Sequence, residues 1–391
     1  MRFDAAQRKL LLDSVERLAR DHIAARMSQI DRSDEFPWDV YKRQADLGLF
    51  ALWVPEEYGG AGADLLTILL VAERMARVSG SSALTFSNCG DGTMPLVVGG
   101  SERIKREYLP RIATGEVIPC YALTEPGAGS DAAAIITRAR RVEGGYRITG
   151  RKIFCTNGSI GHVFTVFATL DPALGRKGIG AFVVPAGAEG LSIGHDEDLI
   201  GLRGSPASEV VFDDVFVPED ARLGAEDEGF KIAMAGLDEA RLSACAMSIG
   251  IARGATVLAL EQARQRVAFG KPIVEHQGIQ FLLADMATEI AAAWALTEKA
   301  VSVTERRPGR EASTYVAMAK LFATDACMHA TTEAVQIFGG SGLSRELPVE
   351  RMMRDAKAFQ IFDGTNQIQR MIIGRQLQFS GLPDDADWIM E

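Results

Sequence analysis

Apolar residues recur every three or four positions between residues 4 and 30, at Leu10, Leu11, Val15, Leu18, Ala19 and Ile23. The same period returns over 64–78 and 101–113. That spacing lines one face of a helix, so the first 120 residues are expected to be mostly helical. From about 121 to 225 the texture changes to short β-branched and aromatic runs at 146–149, 162–168, 181–184 and 209–217, broken by Gly, Asn and Asp. A β domain is expected there. After Gly229 the chain reads as long, alanine-rich helices over 255–266, 281–303 and 313–338, with 306–312 as a helix-to-helix loop. The pattern predicts three domains: an N-terminal all-helical domain over 1–120, a middle β domain over 121–225, and a C-terminal helical bundle over 226–391.

The chain has 391 residues, 47% of them hydrophobic, which is ample for a large core. Its net charge of -10 argues against a nucleic-acid backbone as partner, since such binding needs clustered Lys and Arg. The most apolar short stretch, 65–72, is interrupted by Thr67 and too short to cross a bilayer, and MRFDAAQRKL lacks the apolar centre of a signal peptide. No membrane partner and a cytoplasmic location are expected. Five widely spaced cysteines (Cys89, Cys120, Cys155, Cys245, Cys327) include no C-x-x-C pair, so reduced core thiols are expected rather than a disulfide framework or zinc knuckle. The five histidines form no paired ligand motif, and no metal site is expected.

Two stretches carry candidate chemistry. Tyr121-Ala-Leu-Thr-Glu-Pro-Gly-Ala-Gly-Ser-Asp131 reads either as a plain surface turn or as a rigid loop whose exposed backbone N–H groups meet an oxygen-rich planar ligand. No G-x-G-x-x-G after a strand and no P-loop accompanies it. Near the C-terminus, Asp363-Gly-Thr-Asn-Gln-Ile-Gln-Arg370 presents a lone carboxylate before a glycine. Asp363 reads there as a helix N-cap or as a base.

These motifs, with Lys152-Ile-Phe-Cys-Thr-Asn-Gly158, Gly201-Leu-Arg-Gly-Ser-Pro-Ala-Ser-Glu209, Arg266-Val-Ala-Phe-Gly-Lys271 followed by His276-Gln277, and Gln336-Ile-Phe-Gly-Gly340, occur in the order seen in the acyl-CoA dehydrogenase family. The chain resembles that family over essentially its whole length. The resemblance implies a multidomain α+β fold, with an N-terminal helical domain, a middle β-barrel-like domain and a C-terminal four-helix bundle assembling as a homotetramer, and FAD as cofactor. It implies that Tyr121, Leu123, Thr124, Gly129 and Ser130 line the flavin or the thioester, with Phe154 and Thr156 on the ring's other side. The family often has Trp where this chain has Phe154. Arg266 resembles the residue that meets the FAD pyrophosphate of a neighbouring subunit, with Phe269, Gln277, Gln336 and Gly340 about the AMP half, and Thr365 and Gln367 also at FAD-contacting positions. Taken singly, Phe154 and Phe269 read equally as core aromatics and Arg266 as a surface charge.

Removing a proton next to a thioester needs a carboxylate beside it, a stabiliser for the enolate-like charge and a hydride acceptor. In the family the base is usually Glu at the position of Asp363, or Glu directly before the Arg of a D-x-x-R pattern. The second position is Ala240 in Asp238-Glu239-Ala240-Arg241, which leaves Asp363 as the matching candidate. Asp is shorter than Glu by one methylene, roughly 1.5 Å, and a misplacement of about 1 Å can cost a hundredfold in rate. A bulky, cyclic or branched acyl group, a more acidic proton, or a slow enzyme would each accommodate the shorter acid. Burial is expected to raise its pKa. Asp91, in Ser87-Asn-Cys-Gly-Asp-Gly-Thr-Met94, reads as a solvated turn residue or as lining of the acyl pocket, where it would favour a polar or cyclic acyl group and offer a second deprotonation site on a ring. Asp238 and Arg241 read as a helix ion pair or, by the resemblance, as contacts to the substrate. The function implied is α,β-dehydrogenation of an acyl-CoA thioester with electron-transfer flavoprotein as acceptor. The alternatives are a flavin oxidase or monooxygenase of the same fold, like nitroalkane oxidase, and a thioester-binding protein without turnover; a carrier-protein thioester in place of CoA stays open.

Overall fold

The computed structural model describes residues 3–307 and 309–381. Six helices build the first domain: α1 (Ala5–Leu18), α2 (Met27–Ser33), α3 (Trp38–Asp46), α4 (Leu65–Ala76), α5 (Gly80–Gly99) and α6 (Glu102–Ala113). Asp4, Asp64, Ser79 and Ser101 cap α1, α4, α5 and α6 by accepting from the first-turn amides. Helix α5 was not expected from its sequence, since Gly90, Gly92 and Pro95 sit in its middle. The glycines are there for packing, because a Cβ on Gly90 would lie 2.4 Å from the Trp53 ring and one on Gly92 2.7 Å from the Pro119 carbonyl.

The middle domain is a single sheet of β1 (Pro119–Ala122), β2 (Arg138–Val142), β3 (Gly145–Thr156), β4 (Val163–Thr169), β5 (Ile179–Pro185), β6 (Leu191–Asp196), β7 (Ala207–Pro218) and β8 (Arg222–Leu223). The order is β6-β7-β3-β2-β4-β5-β8, with β1 parallel beside β4. Strands β6 and β8 end this order, and the domain is the middle β domain of the expected three-domain fold. Strands β4 and β5 are mostly apolar, with only Thr165 and Thr169 polar in β4, because both of their faces are covered. Val163, Phe167, Ala181 and Val183 join the core shared with the helices, while Phe164, Val166, Phe182 and Val184 join a second core with Tyr146 and Phe212.

The chain then enters α7 (Gly229–Gln265), a small hairpin of β9 (Val267–Ala268) and β10 (Lys271–Pro272), α8 (Gln277–Arg306), α9 (Arg310–Phe338), α10 (Pro348–Phe359) and α11 (Asn366–Ser380). Helices α7, α8 and α9 pack together, α10 and α11 lie on α9, and α4 and α5 pack on α7, so the two helical domains share one core. By length and composition α7 and α8 are apolar enough to cross a membrane, which the short stretch at 65–72 did not suggest; 72% of the apolar window of α7 is buried in the fold and only 17% of that of α8. All five cysteines are buried free thiols.

Candidate active site

The loop after β1 is fixed by a buried charge pair. Lys152 Nζ donates to Glu125 Oε1 at 2.7 Å and to the Leu123 carbonyl at 2.9 Å, and both groups are shut away from solvent. Glu125 Oε1 also accepts from the Thr137 amide (2.9 Å) and Oε2 from the Ile136 amide (2.6 Å), and the amide of Ile153 donates to the Thr124 carbonyl (2.9 Å). Burial pushes Lys152 down to about 8, against the pull of Glu125. The carboxylate stays below its ordinary range because Lys152 and the amides outweigh its desolvation. So anchored, the loop leaves Gly127, Gly129 and Ser130 exposed, and a Cβ on either glycine would touch nothing within 4 Å. A register shift between Lys152 and Cys155 turns Phe154 out of the β3–β7 pairing; it sits at φ 52° and 50% exposed. Exposed backbone donors beside an outward aromatic fit a planar, oxygen-rich ring such as the flavin implied by the sequence.

Asp363 is not a helix cap. The hydroxyl of Thr365 caps α11 by accepting from the Ile368 amide at 3.3 Å, and Asp363 lies before it with φ 55°. Its loop is held through main-chain carbonyls. Arg241 Nε donates to the Asp363 carbonyl at 3.0 Å, Gln369 Nε2 to the Gly364 carbonyl at 2.8 Å, and Lys320 Nζ to the same oxygen at 2.9 Å. Arg241 also pairs with Asp238 at 2.7 Å, and Asp238 accepts from Ser313 Oγ at 2.9 Å, so the helix ion pair exists and doubles as a brace for this loop. Among the described residues the Asp363 carboxylate itself makes no hydrogen bond. Burial raises it to about 6, with Lys320 and Arg241 pulling the other way. Ala240 is buried and offers no acid.

Asp91 lies inside α5 rather than in a turn. Pro95 lacks the amide that would have bonded its carbonyl, and its glycine neighbours pack on Trp53 and Pro119, leaving its side chain toward the cleft. Burial, then Asp363, then Glu239 push its carboxyl well above the ordinary range. Tyr121, whose hydroxyl donates to the Ala233 carbonyl at 2.9 Å, lies within the field of both aspartates. Asp91, Asp363 and Tyr121 therefore surround one cleft between α5, β1, α7 and the loop before α11. Glu239 is a further acid there, raised to about 7 by burial, and it lines a cavity of about 450 Å³ with Trp53, Met94 and Ile68. Sequence reasoning passed over Glu239 and Lys320. A lysine among Ala317, Ala319 and Ala323 on the buried face of α9 was the available signal for the second.

The remaining expected residues lie elsewhere on the surface. Arg266 ends α7, its carbonyl accepting from the Ile273 amide at 2.8 Å, and Phe269 tops the β9–β10 hairpin 95% exposed. Gln277, Gln336, Gly340 and Gln367 are exposed, and Thr156 is half-buried. A Cβ at Gly340 would meet nothing within 4 Å.

Three family models match in order: acyl-CoA dehydrogenase N-terminal domain over 5–116, middle domain over 120–215 and C-terminal domain over 227–378. The chain is 44% identical over 374 residues to cyclohex-1-ene-1-carbonyl-CoA dehydrogenase of Syntrophus aciditrophicus (95% of this chain, 90% of that protein). It is 41% identical over 370 residues to cyclohexane-1-carbonyl-CoA dehydrogenase of Geobacter metallireducens (94% and 97%). The solved structure of butyryl-CoA dehydrogenase from Megasphaera elsdenii superposes with a TM-score of 0.92 at 37% identity, over 97% of this chain and 100% of that one.

Proposed function

The chain belongs to the acyl-CoA dehydrogenase family of FAD flavoproteins, and from that premise we propose that it dehydrogenates a ring-bearing acyl-CoA thioester with Asp363 as the base. It is an oxidoreductase acting on a CH–CH bond. The observation that carries the reading is the Asp363 loop: three side chains grip its carbonyls and none occupies its carboxylate. A base poised near 6 is ionised at neutral pH yet retains proton affinity, the condition under which a carboxylate takes an acidified α-proton efficiently.

FAD, when bound, supplies the hydride acceptor. Tyr121, Leu123, Thr124, Gly129, Ser130, Phe154 and Thr156 would hold its ring, the anchored loop donating backbone N–H groups. Arg266, Phe269, Gln277, Gln336, Gly340, Thr365 and Gln367 would hold the pyrophosphate and adenine half, in part across a subunit boundary. The exposed apolar surface of α8, with Phe281 59% exposed, supports assembly, and we assign a homotetramer. A cytoplasmic location and electron-transfer flavoprotein as acceptor complete the reading.

The ring assignment rests on two acids and on the relatives. A side chain about 1.5 Å shorter than Glu makes room for a branched α-carbon between base and flavin. Asp91, on the α5 wall, faces the far side of the acyl group, where a straight apolar chain would gain nothing from a carboxyl. Ser130, Asp238 and Arg241 would contact or support the thioester arm. The test is anaerobic mixing of the FAD-loaded protein with cyclohexane-1-carbonyl-CoA, cyclohex-1-ene-1-carbonyl-CoA and butyryl-CoA. Flavin bleaching by a ring thioester, lost in Asp363→Ala and altered in preference by Asp91→Leu, is expected. Bleaching by butyryl-CoA alone would overturn the ring assignment.

A further inference from the structure

Three carboxylates meet at the cleft, and none has a hydrogen bond or ion pair among the described residues: Asp363, Asp91 and Glu239. Two of them have roles above. Glu239 has none, and it both lies within the field of Asp91 and lines a cavity that reaches the exposed Glu56 and Glu57. It follows Asp238 on α7, on the face that packs against α5. There it shares the cavity with Met94, one helical turn beyond Asp91 on α5, and with Trp53, on which the neighbouring Gly90 packs. The mouth of the same cavity is bordered by Glu56 and Glu57, both exposed.

We propose that Glu239 is the proton relay of this site, passing the proton held by Asp91 from the acyl pocket through the cavity to water. The inference rests on the reading of Asp91 as the acid facing the ring. Asp91 has no cation beside it, whereas Asp363 has Lys320 and Arg241, so in the free protein the shared proton resides on Asp91. Asp91 takes a ring proton only after that first proton has gone. A bound thioester closes the flavin side, Tyr121 commits its hydroxyl proton to the Ala233 carbonyl, and Arg241 carries no exchangeable vacancy. The unpartnered carboxylate of Glu239 accepts the proton and releases it toward Glu56, Glu57 and solvent. In this second deprotonation, distinct from the α-proton assigned to Asp363, two ring C–H bonds break: the proton of one goes to the Asp91 carboxylate and its electron pair forms the new C=C bond, while the hydrogen of the other would leave with its own electron pair as hydride to the family's flavin oxidant. The relay adds no redox change.

The test uses the holoenzyme incubated anaerobically in D₂O with a ring thioester and no electron acceptor, followed by mass spectrometry of recovered substrate. Reversible deprotonation returns deuterium only as fast as the acid exchanges with solvent. Glu239→Gln is expected to slow deuterium incorporation by about tenfold or more, within the range proton-transfer groups command, and single-turnover flavin bleaching with it, because Asp91 must first lose its proton. Glu239→Asp, which keeps the acid, restores exchange. In the flavin-free protein, the infrared carboxyl band that titrates near neutrality is lost in Glu239→Gln. Unchanged exchange in Glu239→Gln overturns the relay, as does equal loss in Glu239→Gln and Glu239→Asp, which marks a purely structural residue. Failure of the wild type to bleach with any ring thioester sinks the ring reading itself, and the infrared titration then still decides whether Glu239 exchanges protons.

Discussion

Arg241 donates from Nε to the main-chain carbonyl of Asp363 at 3.0 Å, while its other arm pairs with Asp238 at 2.7 Å. A residue in the middle of α7 thus holds the candidate base by its backbone and adds a positive charge beside it. Arg241→Leu should slow flavin reduction by ring thioesters. Because Arg241 lowers the pKa of Asp363, its loss should also move the acid limb of the rate profile to higher pH. Arg241→Lys returns the charge without the forked geometry, so the limb should recover more than the rate does. Stopped-flow bleaching across pH separates the two effects, and a limb that does not move would refute the coupling.

Asp363 is raised to about 6, chiefly by burial, so flavin reduction should fall by about tenfold per pH unit below that value. Its effect on stability has the opposite sign from a paired surface acid. Between the ordinary value of 3.8 and about 6 the folded state binds this proton better than the unfolded one, so stability from this group declines as pH rises through that window. Asp363→Asn should be more stable than wild type above pH 6, with the difference vanishing toward pH 4. Paired thermal melts check this.

Lys152 and Glu125 form a buried ion pair that sets the loop carrying Gly127 to Ser130. Removing one partner strands the other charge, so Glu125→Gln or Lys152→Met should destabilise by about 3–5 kcal/mol and weaken FAD retention. The double variant Glu125→Gln/Lys152→Met should cost less than the sum of the two. Chemical denaturation with a flavin-release assay gives both numbers, and strict additivity would deny the pairing.

Gly90→Ala would put a Cβ 2.4 Å from the Trp53 ring, which itself donates from Nε1 to the Phe86 carbonyl at 3.1 Å. The ring cannot yield without losing that bond. A cost of about 1–3 kcal/mol is expected from the overlap. Displacement of α5 should also alter acyl preference, because Asp91 follows directly in the chain. An unchanged melting temperature would show that α5 shifts freely.

The amino-acid sequence alone determined the order of helical, β and helical segments, because those elements depend on local periodicity: 3.6 residues for α1, α4 and α6, and β-branched runs for β4, β5 and β7. It also marked Asp363 and the 121–131 loop, since glycine, proline and carboxylate in short motifs are local signals too. Only the tertiary structure decided where Asp91, Glu239 and Lys320 stand relative to one another. Gly-Asp-Gly reads locally as a turn, yet contact with Trp53 and Pro119 makes those glycines the flat sides of a helix. The N-cap role that Asp363 could have taken went to Thr365, which freed the carboxylate. The proton affinities of the three acids depend on burial and on charges brought from α5, α7, α9 and the loop before α11, segments up to 272 positions apart between Asp91 and Asp363 (363 − 91). Coulomb and desolvation energies depend on distance and on surrounding protein, and neither is encoded by neighbours in the chain.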